Sequence, residues 1–493
     1  MDTLKVHEFA KRIGKSPSTV RRWDNEGILI AKRTASGKRY YDESDVRKAL
    51  TINNAKRKVL TTRTSKPDSQ PTVPKLINNG VSENGLTTQQ PAIPNIDCAI
   101  QEAIAISNSS QTIQEVNHQQ ERNNLQDQSL FDKNIINEAL QNSRQAIVGK
   151  IQIFIETYRQ VPGAYSPLYD VLTDYPFRVG KMLRPTICIS TARAVGGMGH
   201  LALSAATALE LYHNAFLIHD DIEDGSESRR GKETLHHMIG IPRAINAGDA
   251  TNVLAVGLLL ENLSVIGVSK TLNILHEIEF MARQSVEGQA MELDWVATNP
   301  LHLSDQDYFT MCVKKTCWYT FMTPCRIGLI VGHQAANPSD LVKPLADITR
   351  FGMVLGIAFQ IQDDLLNLQG ELETYGKEIG GDLYEGKRTL MLNHVIANSG
   401  AASEKILKIL ALPREQKRPE DIAFIMEQMQ RCGSIEHGWT VARSLAKKAA
   451  EIFESLDFLQ PESSLQAGEK WESAVNDRRF LKELINYVIY RNL

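Results

Sequence analysis

The stretch LIHDDIEDGSESRRG, residues 217–231, decides the fold of most of this chain. Four of the five residues from 220 to 224 are acidic, and Arg229 and Arg230 follow close behind them. Like charges at this density raise the free energy of folding unless cations lie among them. The apolar run ALELYHNAFLIH comes directly before the acids and is typical of a buried helix, so we expect the carboxylates to lie at the rim of a cavity.

A second acidic cluster lies in GIAFQIQDDLLNLQGE, residues 356–371. Asp220 and Asp224 are four residues apart, as are Asp363 and Asn367, so each pair lies on one face of its helix. Oxygen ligands on two facing helices suit Mg²⁺, which keeps several waters and is completed by phosphate oxygens of a substrate. A diphosphate that bridges such metals would need cations nearby, and the two arginines after the first cluster supply them.

Length and composition narrow the class of protein. The 493 residues predict two or three domains, and 42% hydrophobic with 23% charged residues is typical of a soluble globular protein. The longest apolar run, residues 253–260, is far shorter than the roughly 20 residues that span a bilayer, so we expect no transmembrane segment. The N-terminus lacks a signal peptide's apolar stretch. The six cysteines show no CxxC pair, which favours reduced thiols and a cytoplasmic location.

The charge is uneven along the chain. Residues 1–58 hold 15 Lys and Arg against 7 Asp and Glu, a balance of +8, so the remainder of a chain with net charge −3 carries −11. A basic head on an acidic body predicts two different binding partners.

Residues 4–46 have the pattern of a winged helix–turn–helix. VHEFAKRIG is a short helix that ends at Gly14, and SPSTVRRWDNEG begins with Ser16 as its N-cap and ends at Gly27. AKRTASGKRYYDESDV, residues 31–46, follows as a hairpin-like wing. The predicted DNA contacts are Ser18, Thr19, Arg21, Arg22, Arg33, Lys38 and Arg39.

This stretch resembles the MerR-type helix–turn–helix, and in particular the head of certain transposon serine recombinases. The shared pattern RWDxEGIL…RT…RRYY is present here at residues 22–29, 33–34 and 39–41. The resemblance implies that the second helix enters the DNA major groove while wing cations contact phosphates, so double-stranded DNA is an expected partner. Taken alone, the residues also allow a small charged helical domain whose arginines are solvated.

The segment between head and body is polar. Of the 70 residues from 61 to 130, 32 are Asn, Gln, Ser or Thr. Such a segment buries too little apolar surface to offset its ordering entropy, so we predict a disordered linker over 56–130, with a candidate helical patch around 98–107. The head then covers 1–55 and the body 131–493. Helical periodicity recurs through the body and predicts a large all-α domain.

The body resembles the trans-isoprenyl diphosphate synthases, the polyprenyl synthetase family, over roughly residues 145–493. The segments GKMLRP, YHNA, DDIED with RRG, KKTCWY, FQIQDD and YGKEIGGDLYEGKRTL occur in the family's order. The resemblance implies a bundle of long helices around a deep central pocket, usually in a homodimer. The two aspartate clusters would lie over the pocket mouth and share about three Mg²⁺.

The implied reaction is the head-to-tail condensation of isopentenyl diphosphate with an allylic diphosphate. The resemblance assigns metal binding to Asp220, Asp224 and Asp363, with Asp221 and Asp364 in support. It assigns charge on the leaving diphosphate to Arg229, Lys315 and Lys377, and contact dipoles for the carbocation to Thr316 and Gln360. Substrate diphosphates would be bound by Lys181, Arg184, His213, Arg230 and Lys387.

Two positions depart from the commonest family pattern. Asn367 stands where a third aspartate is usual, and its uncharged amide oxygen should lower metal affinity slightly. GKML stands where many members have GGKR, which removes one cation at Met182. A similar DDxxN and the segment GIPRAINAGD are found in eukaryote-like geranylgeranyl diphosphate synthases, so we expect activity to be retained.

The resemblance implies that bulk below the first cluster sets product length, because the growing tail runs down that helix. Phe216 and Ala215 lie four and five residues before Asp220. The small Ala215 side chain leaves room for the tail, whereas the Phe216 ring narrows that space. This combination predicts geranylgeranyl or farnesyl diphosphate as the product. The alternative is that Phe216 points into helix packing.

Two other functions stay open. A terpene synthase on the same scaffold would ionise a prenyl diphosphate without using isopentenyl diphosphate, but the set Lys181, Arg184 and His213 argues against it. A transcriptional regulator could sense isoprenoid diphosphates through its helical body. A sensor would not need every metal ligand and both diphosphate sites.

Overall fold

The structure is a computed structural model that describes residues 4–12, 20, 31–33, 39–42, 45–46, 96–110, 132–178, 180–333, 338–369, 379–459 and 472–490. The chain divides into two compact units, Met1–Gly85 and Leu86–Leu493. The unit boundary leaves the C-terminal part of the predicted linker with the second unit.

The first unit contains a small antiparallel sheet beside one helix. Its elements are α1 (Val6–Arg12), β1 (Leu4–Lys5), β2 (Lys32–Arg33) and β3 (Arg39–Tyr41). β3 lies between β1 and β2, so the wing forms a hairpin in which Arg33 lies opposite Arg39. Phe9 stacks on Tyr41 with ring centroids 4.1 Å apart, and both side chains are buried. The other predicted DNA contacts, Ser18, Thr19, Arg21, Arg22 and Lys38, lie outside the described residues.

The second unit is built of helices, as predicted. Their bounds are α2 (Ile96–Ser110), α3 (Lys133–Arg159), α4 (Ser166–Leu172), α5 (Asp174–Phe177), α6 (Leu183–Ala194), α7 (Leu203–Glu223), α8 (Leu235–Ile239), α9 (Ile241–Val265), α10 (Gly267–Thr298), α11 (Asp305–Cys312), α12 (Thr323–Gly332), α13 (Val342–Gln369), α14 (Gly381–Glu385), α15 (Leu390–Asn398), α16 (Ala402–Leu410), α17 (Pro419–Arg431), α18 (Ser434–Glu454) and α19 (Glu472–Tyr490). A ten-residue π-helix, Val313–Met322, here called the π segment, joins α11 to α12. Strands β4 (Ser228–Arg229) and β5 (Lys232–Glu233) pair as a short hairpin.

Helices α7 and α13 lie at the centre of this unit. α7 packs against α9 and α6, and α13 packs against α18 and the π segment. Both are apolar around most of their circumference, which is the pattern of a helix enclosed by others. The stretch Gly199–Glu223 is long and apolar enough to cross a bilayer by length and composition alone, yet 72% of its most apolar window is buried within the protein.

Helix α2 coincides with the helical patch predicted within the linker. It packs against α11, α13 and α18, and its Ile100 and Ala103 side chains are buried. The remaining residues of 56–130 lie outside the described part of the chain. At least this part of the segment is therefore bound to the helical unit.

Candidate functional site

The first acidic cluster is formed where α7 ends. Asp220 and Asp221 lie in its last turn, and Asp224 is its C-cap. The fully buried Asp221 accepts hydrogen bonds from Tyr175 Oη at 2.5 Å and from Arg229 Nε at 2.9 Å. This carboxylate holds Arg229 in place, an arrangement that suits a supporting role.

The β4–β5 hairpin explains why arginines follow the acids so closely. Arg230 and Gly231 form its two-residue turn, with φ of 55° and 73°. Positive φ at both central positions is the type I′ geometry, which glycine adopts without strain. Arg229 lies on β4 just before this turn, where its guanidinium donates to Asp221.

The second cluster lies near the end of α13. Asp364 is buried and accepts hydrogen bonds from Tyr308 Oη and from Gln360 Nε2, both at 2.7 Å. Gln360 Oε1 in turn accepts from Thr316 Oγ1 at 2.7 Å. Burial and the charges of Asp382 and Asp363 hold the pKa of Asp364 well above its usual range. These bonds join α11, α13 and the π segment around one carboxyl group.

Asn367 is tied to the loop that follows α13. Its Oδ1 accepts the backbone N–H of Asp382 at 3.1 Å, and its own carbonyl accepts the N–H of Gly380 at 2.7 Å. An amide can hold this loop without adding a further negative charge to the cluster. Asn367, which stands in place of the usual aspartate, therefore helps to hold the loop that follows α13.

Two lysines lie between the clusters. Lys387 donates to Asp224 at 2.8 Å and forms an ion pair with Glu385 at 2.6 Å, while Lys315 pairs with Glu292. The charges of Asp224 and Asp382 both favour protonated Lys387, and the backbone N–H of Asp382 donates to Asn367 of the second cluster. The first acidic cluster therefore has two lysine ammonium groups close to it.

The cations do not fully neutralise the first cluster. Burial, together with the charge of Asp224, raises the pKa of Asp220 to about 6 despite the opposing charge of Lys315. Burial also acts to raise the pKa of Asp224, but Lys387 and Lys315 outweigh burial and lower it. Asp220 is thus a carboxyl group that a further cation would keep ionised.

A separate cationic group lies around Arg184, Arg230 and His213. The Arg184 guanidinium lies 4.1 Å from the centroid of the Tyr319 ring and donates to Thr320 Oγ1 at 2.8 Å. Burial and the neighbouring arginines hold the pKa of His213 well below its usual range, so its ring is neutral. Among the described residues, Arg184 Nε and His213 Nδ1 are buried without a hydrogen-bond partner. Buried polar atoms of this kind favour a polar ligand.

The sequence analysis missed the residues that support this cationic group. Glu210 is only 1% exposed, and its negative charge is near Arg230, Arg184 and Arg144. Burial raises the pKa of Glu210 although these arginines oppose the shift. Arg144 Nη1 donates to the carbonyl of Gly180 at 2.9 Å and so fixes the loop before α6. A lone acid in the apolar stretch ALELYHNAF is the signal that could have identified Glu210.

An apolar groove of about 560 Å³ lies beside α7, between α9 and α10. Its lining includes Tyr212, two turns before Asp220, with Val256 and Ile278. Phe216 is half-buried, and its ring centroid lies 5.7 Å from that of Tyr319. Ala215 is fully buried. The apolar lining of this groove suits an apolar chain.

The remaining predicted residues are dispersed or outside the described chain. Lys181 is exposed, with its ammonium 5.6 Å from the Tyr487 ring centroid, and Lys377 lies outside the described residues. Within the described ranges, no three His, Cys, Asp or Glu side chains form a group that could hold a metal by protein ligands alone.

Family comparisons match both parts of the chain. Residues 166–429 match the family model described as polyprenyl synthetase, and residues 4–66 match that of the MerR HTH family regulatory protein. A geranylgeranyl diphosphate synthase of Saccharolobus solfataricus is 34% identical over 277 residues, 55% of this chain and 78% of that protein. An octaprenyl diphosphate synthase of Escherichia coli is 31% identical over 265 residues, 54% of this chain and 76% of that protein.

Solved structures share the helical fold. The geranylgeranyl pyrophosphate synthetase of Pyrococcus horikoshii aligns with a TM-score of 0.59 at 28% identity, covering 73% of this chain and 99% of that one. The polyprenyl synthase of Caulobacter crescentus, complexed with calcium and isoprenyl diphosphate, aligns with a TM-score of 0.58 at 26% identity, covering 72% and 98%.

Proposed function

Because the chain belongs to the polyprenyl synthetase family and is a prenyltransferase of that family, we propose that it condenses isopentenyl diphosphate with an allylic diphosphate to form a short prenyl diphosphate. The observation that carries this proposal is the pair of acidic clusters with Lys387 between them. Asp224 accepts from Lys387 at 2.8 Å, and the charge of Asp382 beyond the second cluster also favours the protonated lysine. A diphosphate bound there would meet cations at its departing end.

The oxygen ligands fit Mg²⁺. Asp220, Asp224 and Asp363 would hold the ions, about three in number, with Asp221 and Asp364 in support. The raised pKa of Asp220 marks negative charge that the lysines leave uncompensated. When bound, Mg²⁺ would neutralise the departing pyrophosphate. The chain's own lysines and Arg229 would add charge at the same place.

The second substrate has its own site in this proposal. Arg184, Arg230, His213 and Lys181 would bind the diphosphate of isopentenyl diphosphate. The unpartnered Arg184 Nε and His213 Nδ1 support this assignment, because each offers a polar atom that no described residue uses. Thr316 and Gln360 hydrogen-bond each other, which fixes their dipoles beside the second cluster.

One set of incubations separates the three functions. The full chain with Mg²⁺, isopentenyl diphosphate and farnesyl diphosphate should yield a longer prenyl diphosphate and pyrophosphate. Geranylgeranyl diphosphate alone should stay intact, whereas release of a hydrocarbon or alcohol would indicate a terpene synthase. Binding of both diphosphates without turnover would indicate a sensor.

Magnesium binding should weaken as the pH falls through about 6, because burial raises the pKa of Asp220 to about 6. Below this pH Asp220 is protonated, and a proton must leave before the metal binds. Isothermal titration of Mg²⁺ with the full chain and a diphosphate near pH 5.5 and pH 7.5 measures the effect. Asp294→Asn, on the exposed side of α10, is the control and should leave the pH dependence unchanged.

Phe216→Ala should lengthen the product by at least one isoprene unit. The Phe216 ring lies between those of Tyr212 and Tyr319, at centroid distances of 6.2 and 5.7 Å, so its removal opens space beside α7. Chromatography of dephosphorylated products gives the chain length. Phe424→Ala on α17 is a matched control that should not change it. An unchanged product in Phe216→Ala would remove Phe216 as a length determinant.

The head is proposed to bind double-stranded DNA. Its match to MerR regulators supports this proposal, as do Arg33 and Arg39 opposite each other on the wing hairpin. Removing one cation that neutralises a DNA phosphate should reduce the slope of log affinity against log salt by about 1. Fluorescence anisotropy of Arg33→Ala with a random duplex at several salt concentrations tests this. An unchanged slope would remove Arg33 from the DNA-binding surface.

We also propose a homodimer formed through α9. Val253, Val256, Leu260 and Leu263 follow a helical spacing along α9, and all are exposed in the single chain. A continuous exposed apolar stripe is typical of an association surface, and closed dimers are the commonest oligomers. Sedimentation velocity should give a dimer for the wild type and a monomer for Val253→Asp. Val161→Asp, at another exposed apolar position, should stay dimeric.

A further inference from the structure

Helix α2 precedes the residues that match the polyprenyl synthetase family, yet charged contacts fix it to the helical unit. Glu102 binds Arg350 through two oxygens, with Nη2 to Oε1 at 2.7 Å and Nε to Oε2 at 3.1 Å. Lys448 lies 3.3 Å from the same carboxylate. Bidentate arginine–carboxylate pairs fix orientation as well as proximity. The pair therefore orients α2 on α13 and α18.

A buried contact joins α2 to α11. Ser107 is fully buried and donates from Oγ to Asp305 Oδ2 at 2.5 Å. Asp305 is the first residue of α11, which begins with Ser304 as N-cap in a capping box closed by Asp307. A hydroxyl that satisfies a carboxylate in a buried contact is costly to remove. Ser107 therefore fixes the first turn of α11 against α2.

Two of the helices that α2 contacts, α11 and α13, meet at the second aspartate cluster. α11 carries Tyr308, whose hydroxyl donates to Asp364 at 2.7 Å, and α13 carries both Asp364 and Arg350. Tyr308 is fully buried one turn after Asp305. α2 thus contacts both helices that carry the Tyr308–Asp364 hydrogen bond, through Asp305 on α11 and Arg350 on α13.

We propose that α2 is a positioning element of the synthase site, which clamps α11 to α13 and thereby sets the place of Asp364. The proposal rests on the proposed function, because Asp364 supports the metal ligand beside it. Tyr308 and Ser107 act through other groups and are positioning residues.

Single substitutions in the full chain test the clamp. Tyr308→Phe removes the hydroxyl. It should lower kcat and raise the Mg²⁺ concentration needed for half-maximal turnover, and the two changes multiplied together should reach roughly 10- to 100-fold. This is roughly the effect of losing a group that orients a metal ligand. Ser107→Ala should produce the same two changes at about 3- to 10-fold. Asn108→Ala, on the exposed face of α2, is the matched control and should stay within twofold.

The charged contact provides a rescue test. Glu102→Arg should raise the Mg²⁺ requirement, Arg350→Glu should do the same, and the double variant should recover at least half of the loss. Gln101→Arg places the same charge on the exposed face and should have no effect. Hydrogen exchange should show faster exchange at 305–312 in Ser107→Ala and Glu102→Arg, a result that does not depend on turnover.

Two results would overturn the clamp. The first is that Ser107→Ala and Glu102→Arg both keep the wild-type Mg²⁺ requirement. The second is that kcat falls in proportion to the unfolding temperature while the Mg²⁺ requirement stays unchanged, which would indicate only a structural role. An inactive wild type would instead reject the proposed function, while the hydrogen-exchange comparison would still report on the clamp.

Discussion

Replacing both Asp220 and Asp363 by alanine is expected to slow prenyl transfer by about 10⁴-fold or more, equivalent to ~5.5 kcal/mol of activation free energy. The two side chains come from different helices, α7 and α13, and each would hold metal on the same diphosphate in the proposed mechanism. Removing both leaves the lysines as the main positive charges near the leaving group. Electrostatic stabilisation of developing charge usually contributes more to such reactions than any other effect.

Single-turnover rates with farnesyl and isopentenyl diphosphates at saturating Mg²⁺ give the measurement. Asp294→Ala, an exposed carboxylate on α10, is the control and should keep wild-type turnover. Circular dichroism should show an intact fold, because burial disfavours the charged form of the Asp220 carboxylate and replacing this residue removes that desolvation cost. Prenyl transfer at the wild-type rate in the double variant would contradict the metal-bridged mechanism.

Local patterns in the sequence were enough to predict the helical body and the two acidic clusters. Asp220 and Asp224 lie in or at the end of one helix, as their four-residue spacing predicts, because a helix repeats every 3.6 residues. The order of the sequence motifs also predicted membership of the polyprenyl synthetase family, and the family comparisons confirm it. The short hairpin after the acids follows from the turn at Arg230 and Gly231, which the sequence analysis left unassigned.

The partners of the buried acids could not be predicted from local patterns. Tyr175 lies 46 residues before Asp221, and Tyr308 lies 56 residues before Asp364, so each pair meets only in the folded bundle. The π geometry of the segment with Lys315 was also missed, because its sequence has the apolar spacing of an ordinary buried helix. Contacts between distant elements depend on packing, which a single sequence does not report.

Gly288→Ala is expected to lower kcat by about 10²-fold, because a misplacement of about 1 Å can cost this much and the added Cβ displaces the backbone of Lys315, the lysine proposed to add charge to the leaving diphosphate. Gly288 lies on α10 against the π segment, and a Cβ there would come within 2.7 Å of Lys315 Cα and closer still to its backbone nitrogen. Backbone atoms cannot rotate away as a side-chain end can. The helices must therefore separate, which should lower the free energy of unfolding by about 1–3 kcal/mol.

Gly149→Ala is the matched control, since Gly149 is also within a helix, α3, and a Cβ there meets nothing within 4 Å. That variant should keep wild-type turnover and gain about 0.5–1 kcal/mol of stability from helix propensity. Comparing kcat with the KM values of Gly288→Ala locates the damage. Because Lys315 is proposed to add charge to the leaving diphosphate, kcat should fall further than affinity for isopentenyl diphosphate. Equal turnover in the two glycine variants would show that close packing of α10 on the π segment does not place Lys315.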